Sequence, residues 1–156
     1  MLDAPVDAWY VWVGVAAASV ATLGVALSFP TAPPPDAASV ADTVDSVARC
    51  EYAATAEHPV AAAKIRIGPH RLGLRNDAGT AHATFAAGPV VPIRDGTPLA
   101  AVVRGTSPRQ AFDSSAAFRR AIERARERDA TWHPADDRLL ARCLSWEGVD
   151  ATLVAG

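Results

Sequence analysis

The chain opens with an apolar stretch that has no counterpart in the rest of the sequence. Residues Ala8–Phe29 contain no charged side chain. As a helix these 22 residues would measure about 33 Å, at about 1.5 Å per residue. That length matches a hydrocarbon core of about 30 Å. The pattern predicts a transmembrane anchor at residues 1–30, a Pro-rich spacer at residues 31–35 and a soluble α+β domain at residues 36–156.

The composition of this stretch fits an anchored helix that is kept in the mature protein. Asp7 is placed to cap the helix start, and Pro30 to end it. Aromatic residues prefer the headgroup layer, and small residues allow a partner helix to pack alongside. A cleaved signal peptide is disfavoured because no Lys or Arg precedes the apolar stretch. The residues that we expect in the membrane anchor are Ala8, Trp9, Tyr10, Trp12, Gly14, Ala18 and Phe29.

The residues on either side of the apolar stretch do not determine its orientation in a membrane. Asp3 and Asp7 precede it, and the first basic residue after it is Arg49. The positive-inside rule therefore has almost no charge to act on. We favour an extracellular domain, and a cytoplasm-facing domain is the alternative.

After the spacer, the hydrophobic period changes from helical to alternating. Apolar residues at helical spacing predict an amphipathic helix over residues 36–49. Lys64–Ile67 and Leu72–Arg75 then alternate on either side of the turn signal Gly68–Arg71. With further short strands up to Leu99–Arg104, the pattern predicts an antiparallel meander of about five strands.

The C-terminal third predicts one more helix and two strands. Asp113, Ser114 or Ser115 can cap a helix that runs to about Asp129. Strands at residues 138–146 and 150–154 are joined by a turn at Glu147 and Gly148. The predicted fold class is α+β: an N-terminal transmembrane helix, then a small domain with an antiparallel meander sheet and two amphipathic helices.

Charge and composition limit the classes of partner that the chain is expected to bind. The chain of 156 residues has a formal net charge of −2, which does not favour a nucleic-acid partner. Its basic residues are almost all Arg, Asp outnumbers Glu, and Ala is abundant. This usage fits a GC-rich genome and makes a halophilic source plausible.

No residue pattern indicates a catalytic site, a cofactor site or a metal site. The four histidines, His58, His70, His82 and His133, share no ligand spacing, and no small-molecule substrate is indicated. Cys50 and Cys143 fit no zinc spacing. We interpret them as two small buried hydrophobic residues, and a disulfide is the alternative if the domain lies outside the cell.

The helix at residues 114–129 carries the one local concentration of charge. Arginines outnumber glutamates on its polar face, which could meet an acidic partner or anionic headgroups. The alternative is a solvated face in which Glu123 pairs with Arg119 and Arg126. The possible interaction face consists of Arg119, Arg120, Arg124 and Arg128.

Six segments of the chain have a familiar pattern: Asp3–Gly14, Pro33–Ala37, Ala56–Pro59, Ile67–Leu72, Leu74–Thr84 and Ser145–Thr152. Together they resemble an uncharacterised haloarchaeal family of single-pass membrane proteins that are pilin-like in overall plan. The resemblance implies no activity. It does imply association with archaeal pilus-like systems, although this chain lacks the basic leader of pilins.

The function expected from the sequence is that of a non-enzymatic, membrane-anchored accessory or structural protein. It would be a pilin-like component at the surface of a haloarchaeon, with the lipid bilayer and membrane or surface proteins as partners. Two alternatives stay open. One is an anchored adaptor that faces the cytoplasm, and the other is an anchored enzyme with an unrecognised site.

Overall fold

The structure is a computed structural model that describes residues 8–27, 33–49 and 51–156. The chain divides between residues 32 and 33 into two units. Helix α1 (Ala8–Leu27) belongs to the first unit. The second unit contains α2 (Ala37–Ala48), β1 (Ala54–Pro59), β2 (Lys64–Ile67), β3 (Arg71–Asn76), β4 (Gly79–Thr84), β5 (Val91–Pro92), α3 (Pro98–Val103), α4 (Pro108–Ala111), α5 (Ser115–Glu127), β6 (His133–Pro134), β7 (Arg138–Trp146) and β8 (Val149–Ala155).

The main difference between the structure and the prediction concerns the transmembrane helix. Among the described residues, no helix combines the length and the apolar character that crossing a membrane requires. The prediction of a single-pass membrane protein with a signal anchor is therefore wrong, and so is the location built on it. Asp7, Phe29 and Pro30, which were to delimit the anchor, lie outside the described residues.

Helix α1 is 20 residues long and mixes large apolar side chains with small and hydroxyl-bearing ones. The helix includes Gly14, Ala18, Ser19 and Thr22, whose side chains supply little apolar surface. The Ser19 hydroxyl donates a hydrogen bond to the Val15 carbonyl at 2.8 Å. A stretch without charge is thus not by itself evidence of a membrane span.

The second unit is an α+β domain with two four-stranded sheets, where one meander was expected. The first sheet has the order β1-β7-β8-β5, and the second sheet has the order β4-β3-β2-β6. Strands β2, β3 and β4 keep the predicted antiparallel meander. Strand β1 instead pairs with β7, and β5 pairs in parallel with β8.

Strands β7 and β8 explain this division because they are apolar on both faces. Leu139 and Ala141 point into a core shared with α2 and the second sheet. Leu144 and Trp146 point into a second core, built with α3 and α5. A strand buried on both faces needs a covering layer on each side. The first sheet is therefore the middle layer of the domain.

Helix α2 closes the side of the domain where β1 and β4 lie, and it contacts both strands. Asp36 caps the helix, and its side chain accepts a hydrogen bond from Ser39 N at 3.0 Å. The carboxylate of Asp45, which is only 4% exposed, accepts hydrogen bonds from the backbone N–H groups of Ala86 and Ala87. This contact ties α2 to the chain that leaves β4.

The predicted strand Leu99–Arg104 is replaced by helix α3, which ends at Val103 with Arg104 as its C-cap. Pro98 occupies the first turn, and the Thr97 side chain caps the helix by accepting a hydrogen bond from Ala100 N at 3.3 Å. Both features favour a helix start. The apolar side chains that suggested a strand lie in the core beside α5.

The C-terminal predictions are confirmed. Strand β7 has the expected bounds, and β8 follows a turn in which Glu147 and Gly148 both have positive φ, at 49° and 75°. Two positive φ angles are what a tight hairpin turn of this kind requires. Ser114 caps α5, accepting a hydrogen bond from Ala117 N at 3.2 Å.

Cys143 is disulfide-bonded. The interpretation of the cysteines as unpaired hydrophobic residues is therefore wrong for Cys143. The sequence contains one other cysteine, Cys50, which lies outside the described residues.

Candidate functional site

The outer face of the second sheet concentrates positive charge. The apolar residues of β2 and β3 point inward, and those of β4 pack against the same core. Alternation places their polar neighbours on the opposite side. The three strands contain no Asp or Glu. We call this surface the basic face, and it consists of Lys64, Arg66, Arg71, Arg75 and His82.

The pairing register sets the positions of these residues. Lys64 lies opposite Arg75, which lies opposite Thr80. In the next row, Arg66 and His82 lie on either side of Gly73. Directly opposed side chains in an antiparallel pair have Cβ atoms about 4.5–5.5 Å apart. The basic face is thus a compact array around a central glycine.

Gly73 is required by the packing above it. A Cβ atom at this position would come within 2.9 Å of both His82 Nδ1 and the Trp132 ring. Trp132 immediately precedes β6 and reaches across β2 to lie against the Gly73 backbone. The guanidinium carbon of Arg75 stands 4.5 Å from the centroid of a Trp132 ring. The half-buried Trp132 therefore gives the basic face an aromatic centre.

The cations of the basic face lack acidic partners. Lys64 and Arg75 are like charges in directly opposed positions, an arrangement that destabilises a sheet. In the described part of the chain, the ion pairs are Arg104 with Asp95 and Arg138 with Glu57. Arg75 does donate a hydrogen bond to Thr80 Oγ1 at 3.0 Å. The basic face therefore keeps its positive charge, and the hydrogen bond from Arg75 to Thr80 fixes the position of the Arg75 side chain.

Helix α5 presents the arginines singled out from the sequence. Arg119, Arg120 and Arg124 are exposed, whereas Arg128 is half-buried. Neither Glu123 nor Glu127 forms an ion pair with them within the described residues. The interaction face on α5 stays a prediction, and the pairing of Glu123 with Arg119 or Arg126 does not occur.

The structure brings one end of α5 to the basic face. Arg128 lines an open groove of about 660 Å³ together with Arg66 and Arg71. Glu127 and Asp129 line the same groove and bring negative charge into it. The array on β2 and β3 is therefore more uniformly basic than the helix end beside it.

Arg126 differs from the other arginines of α5. It is half-buried and donates a hydrogen bond to the Pro89 carbonyl at 3.1 Å. Burial lowers the pKa of Arg126 from its ordinary value. Its contacts hold α5 to the loop before β5, so we assign it a structural role.

The histidines lie in different settings. His58 Nδ1 is 2.9 Å from the Thr43 hydroxyl, which ties β1 to α2. His133 contacts the Pro134 carbonyl, and His70 is exposed in the turn between β2 and β3. No three His, Cys, Asp or Glu side chains within residues 8–27, 33–49 and 51–156 are grouped so that they could hold a metal ion.

Sequence reasoning missed the basic face, although its signal was present. The segments Lys64–Ile67 and Leu72–Arg75 were recognised as alternating strands. Alternation alone does not show that the charges at their polar positions gather on one surface. Every charged residue at those positions is basic, and the cations meet only when β2 and β3 pair.

Comparison with protein-family models shows the family of this chain. The model of a family described as a family of unknown function (DUF7283) matches residues 3–144. No curated protein and no solved structure matches the chain.

Proposed function

We propose, from the premise that this chain belongs to the family of unknown function DUF7283, that it is a non-enzymatic accessory protein. Its domain binds an acidic segment of a partner protein through the basic face. The observation that carries the proposal is the like-charged pair Lys64 and Arg75 at one end of an array without acidic residues.

The energetic argument starts from the cost of this arrangement. Like charges directly opposed on a sheet lower its stability, whereas opposite charges raise it. One acidic residue at position 64 or 75 would remove the repulsion. The same repulsion would strengthen the binding of a partner that supplies carboxylates, because the carboxylates relieve it. The basic face is thus better suited to a complex than to the free domain.

The composition of the face also suits a protein interface. Trp and Arg are among the residues that contribute most to binding energy at protein interfaces. Here Trp132 is held against Gly73 and Arg75, so it loses little side-chain freedom when a partner binds. The net charge of −2 gives no general attraction to nucleic acid, which favours a protein partner.

A haloarchaeal source and a pilin-like structural role belong to this proposal as its finer parts. The support for the source is the use of Arg, Asp and Ala. The support for the role is the motif resemblance that runs along most of the chain. A partner segment rich in acidic residues would match the basic face in charge.

The test is titration of the full chain with a synthetic ten-residue glutamate-rich peptide, measured by calorimetry at low salt. The variant removes three cations of the basic face by the changes Lys64→Gln, Arg66→Gln and Arg75→Gln. The control removes three cations from α5 by the changes Arg119→Gln, Arg120→Gln and Arg124→Gln. The two variants have equal net charge.

We expect the basic-face variant to bind at least about tenfold more weakly than the unmodified chain, and the α5 control to bind nearly as well. Equal losses in the two variants would show attraction by net charge alone and would overturn the proposal. A larger loss in the α5 control would transfer the binding site to that helix. Circular dichroism of both variants checks that they are folded.

A further inference from the structure

Part of the basic face is a concavity with the donors that an oxyanion needs. Arg66, Arg71, Gly73, His82 and Thr84 line an open depression of about 550 Å³. It lies over β3 and β4, where Arg71 is opposite Thr84 and Gly73 is opposite His82. The His82 and Trp132 rings cover the Gly73 backbone, so the donors that a ligand meets in the depression are side chains.

The two arginines of the depression are available for a ligand. Within the described residues, neither Arg66 nor Arg71 forms an ion pair, and neither side chain makes a hydrogen bond. Arg66 is opposite Gly73, two positions along β3 from Arg71. Diagonal neighbours of this kind lie about 7–8 Å apart, a separation that two long side chains can close.

The charge and the donors together select a ligand class. A carboxylate would neutralise only one of the two guanidinium groups. A phosphomonoester carries a charge of about −1.5 to −2 at pH 7 and has three strong acceptor oxygens. Each guanidinium can bind such a group with two parallel hydrogen bonds. The Thr84 hydroxyl and the His82 ring add donors at the edge of the depression.

We propose that this depression is a phosphomonoester site, and that the acidic segment of the partner protein carries a phosphorylated residue which binds there. The proposal rests on the proposed function and deepens it. Arg66 and Arg71 hold the phosphate oxygens, and Thr84 donates its hydroxyl hydrogen to one of them. Lys64 and Arg75, outside the depression, contact the acidic residues that flank the phosphorylated one.

The test compares three probes on the full chain by calorimetry. The first is a ten-residue glutamate-rich peptide with one central phosphoserine, and the second has glutamate at that position. The third is inorganic phosphate, which separates a free phosphate site from a phosphopeptide site. The variants are Arg66→Lys and Arg71→Lys, which keep the charge but lose the planar fork. The control is Lys64→Gln, which lies outside the depression.

We expect the phosphopeptide to bind at least about tenfold more tightly than the glutamate peptide. Each arginine-to-lysine change should weaken binding of the phosphopeptide far more than binding of the glutamate peptide, and so remove most of that preference. The Lys64→Gln control should weaken both peptides and keep their ratio. Weak competition by millimolar phosphate at the same site is also expected.

Three outcomes would overturn the phosphate site. The two peptides could bind equally, the preference could survive both arginine changes, or inorganic phosphate could bind more tightly than the phosphopeptide. The first of these outcomes, with strong binding of both peptides, would leave the proposed function intact.

Discussion

The buried carboxylate of Asp45 gives the sharpest prediction about the fold. Asp45 Oδ2 accepts the Ala86 N–H at 2.9 Å, and Oδ1 accepts the Ala87 N–H at 3.0 Å. These bonds join α2 to the segment that follows β4. They act across 41 and 42 residues of sequence, so their loss should affect the whole domain. We expect Asp45→Ala to be among the most destabilising single substitutions on α2.

The magnitude follows from the number and kind of bonds lost. A hydrogen bond to a charged group contributes about 1.5–3 kcal/mol. Ala86 and Ala87 are exposed, so water can reach their N–H groups after the substitution, and the lower value applies to each bond. Asp45→Ala should therefore lower the free energy of unfolding by about 3 kcal/mol. Asp45→Asn keeps one acceptor oxygen without the charge and should cost about half as much.

The assay is urea unfolding of the full chain, followed by tryptophan fluorescence. With a slope of about 1–3 kcal/mol per molar urea, a loss of about 3 kcal/mol moves the midpoint down by about 1–3 M. The matched control is Asp42→Ala, which removes an exposed carboxylate from the same helix and should change stability by less than about 0.5 kcal/mol. If the two alanine variants had equal midpoints, the reasoning about Asp45 would be refuted.

Three further predictions concern the charges and the cross-link of the domain. Lys64→Gln should raise the free energy of unfolding by about 0.2–1 kcal/mol because it relieves the repulsion by Arg75; a thermal melt at low salt that shows a loss would contradict this. Arg142 Nη1 donates a hydrogen bond to the Val102 carbonyl, at the end of α3, at 2.5 Å. Arg142→Met should therefore cost about 1–3 kcal/mol, whereas Arg138→Met, which breaks only an exposed ion pair, should cost less than about 1 kcal/mol; equal urea midpoints would count against the role of Arg142. Cys143→Ala should lower the free energy of unfolding by about 2–5 kcal/mol, as should reduction of the unmodified chain with dithiothreitol; a thiol titration that finds Cys143 free in the native, unreduced chain would disprove the cross-link.

Local patterns in the sequence predicted the elements whose period and caps were clear. Helix α2, helix α5 and strand β7 follow from apolar spacing, from Ser114 as a cap and from the turn at Glu147 and Gly148. Helix α3 was missed because six apolar residues fit a short strand as well as a short helix. The deciding signal was local too: Thr97 followed by Pro98 is a helix start.

The arrangement of the strands could not be obtained in the same way. Which strands share a sheet depends on contacts between distant segments, such as β1 with β7. The two apolar faces of β7 and β8 were the one clue that these strands lie in a middle layer. The anchor was overestimated because the absence of charge was given more weight than the small and hydroxyl-bearing residues of α1.

The candidate site shows the same limit. The arginines of α5 were found because they are neighbours in the sequence. Lys64 and Arg75 become neighbours only through the register of β2 and β3, and Trp132 reaches Gly73 from a different segment. A charged array on a sheet is visible in the sequence only when the pairing is already known.

The most direct test of the basic face is a map of where the acidic peptide binds. Amide chemical shifts of the isotope-labelled full chain would be followed by nuclear magnetic resonance during titration with the glutamate-rich peptide. If the basic face is the binding surface, the largest changes will fall on the amides of β2, β3 and β4 and on the indole N–H of Trp132. Changes confined to α5, or spread evenly over every basic residue, would exclude the basic face as the binding surface.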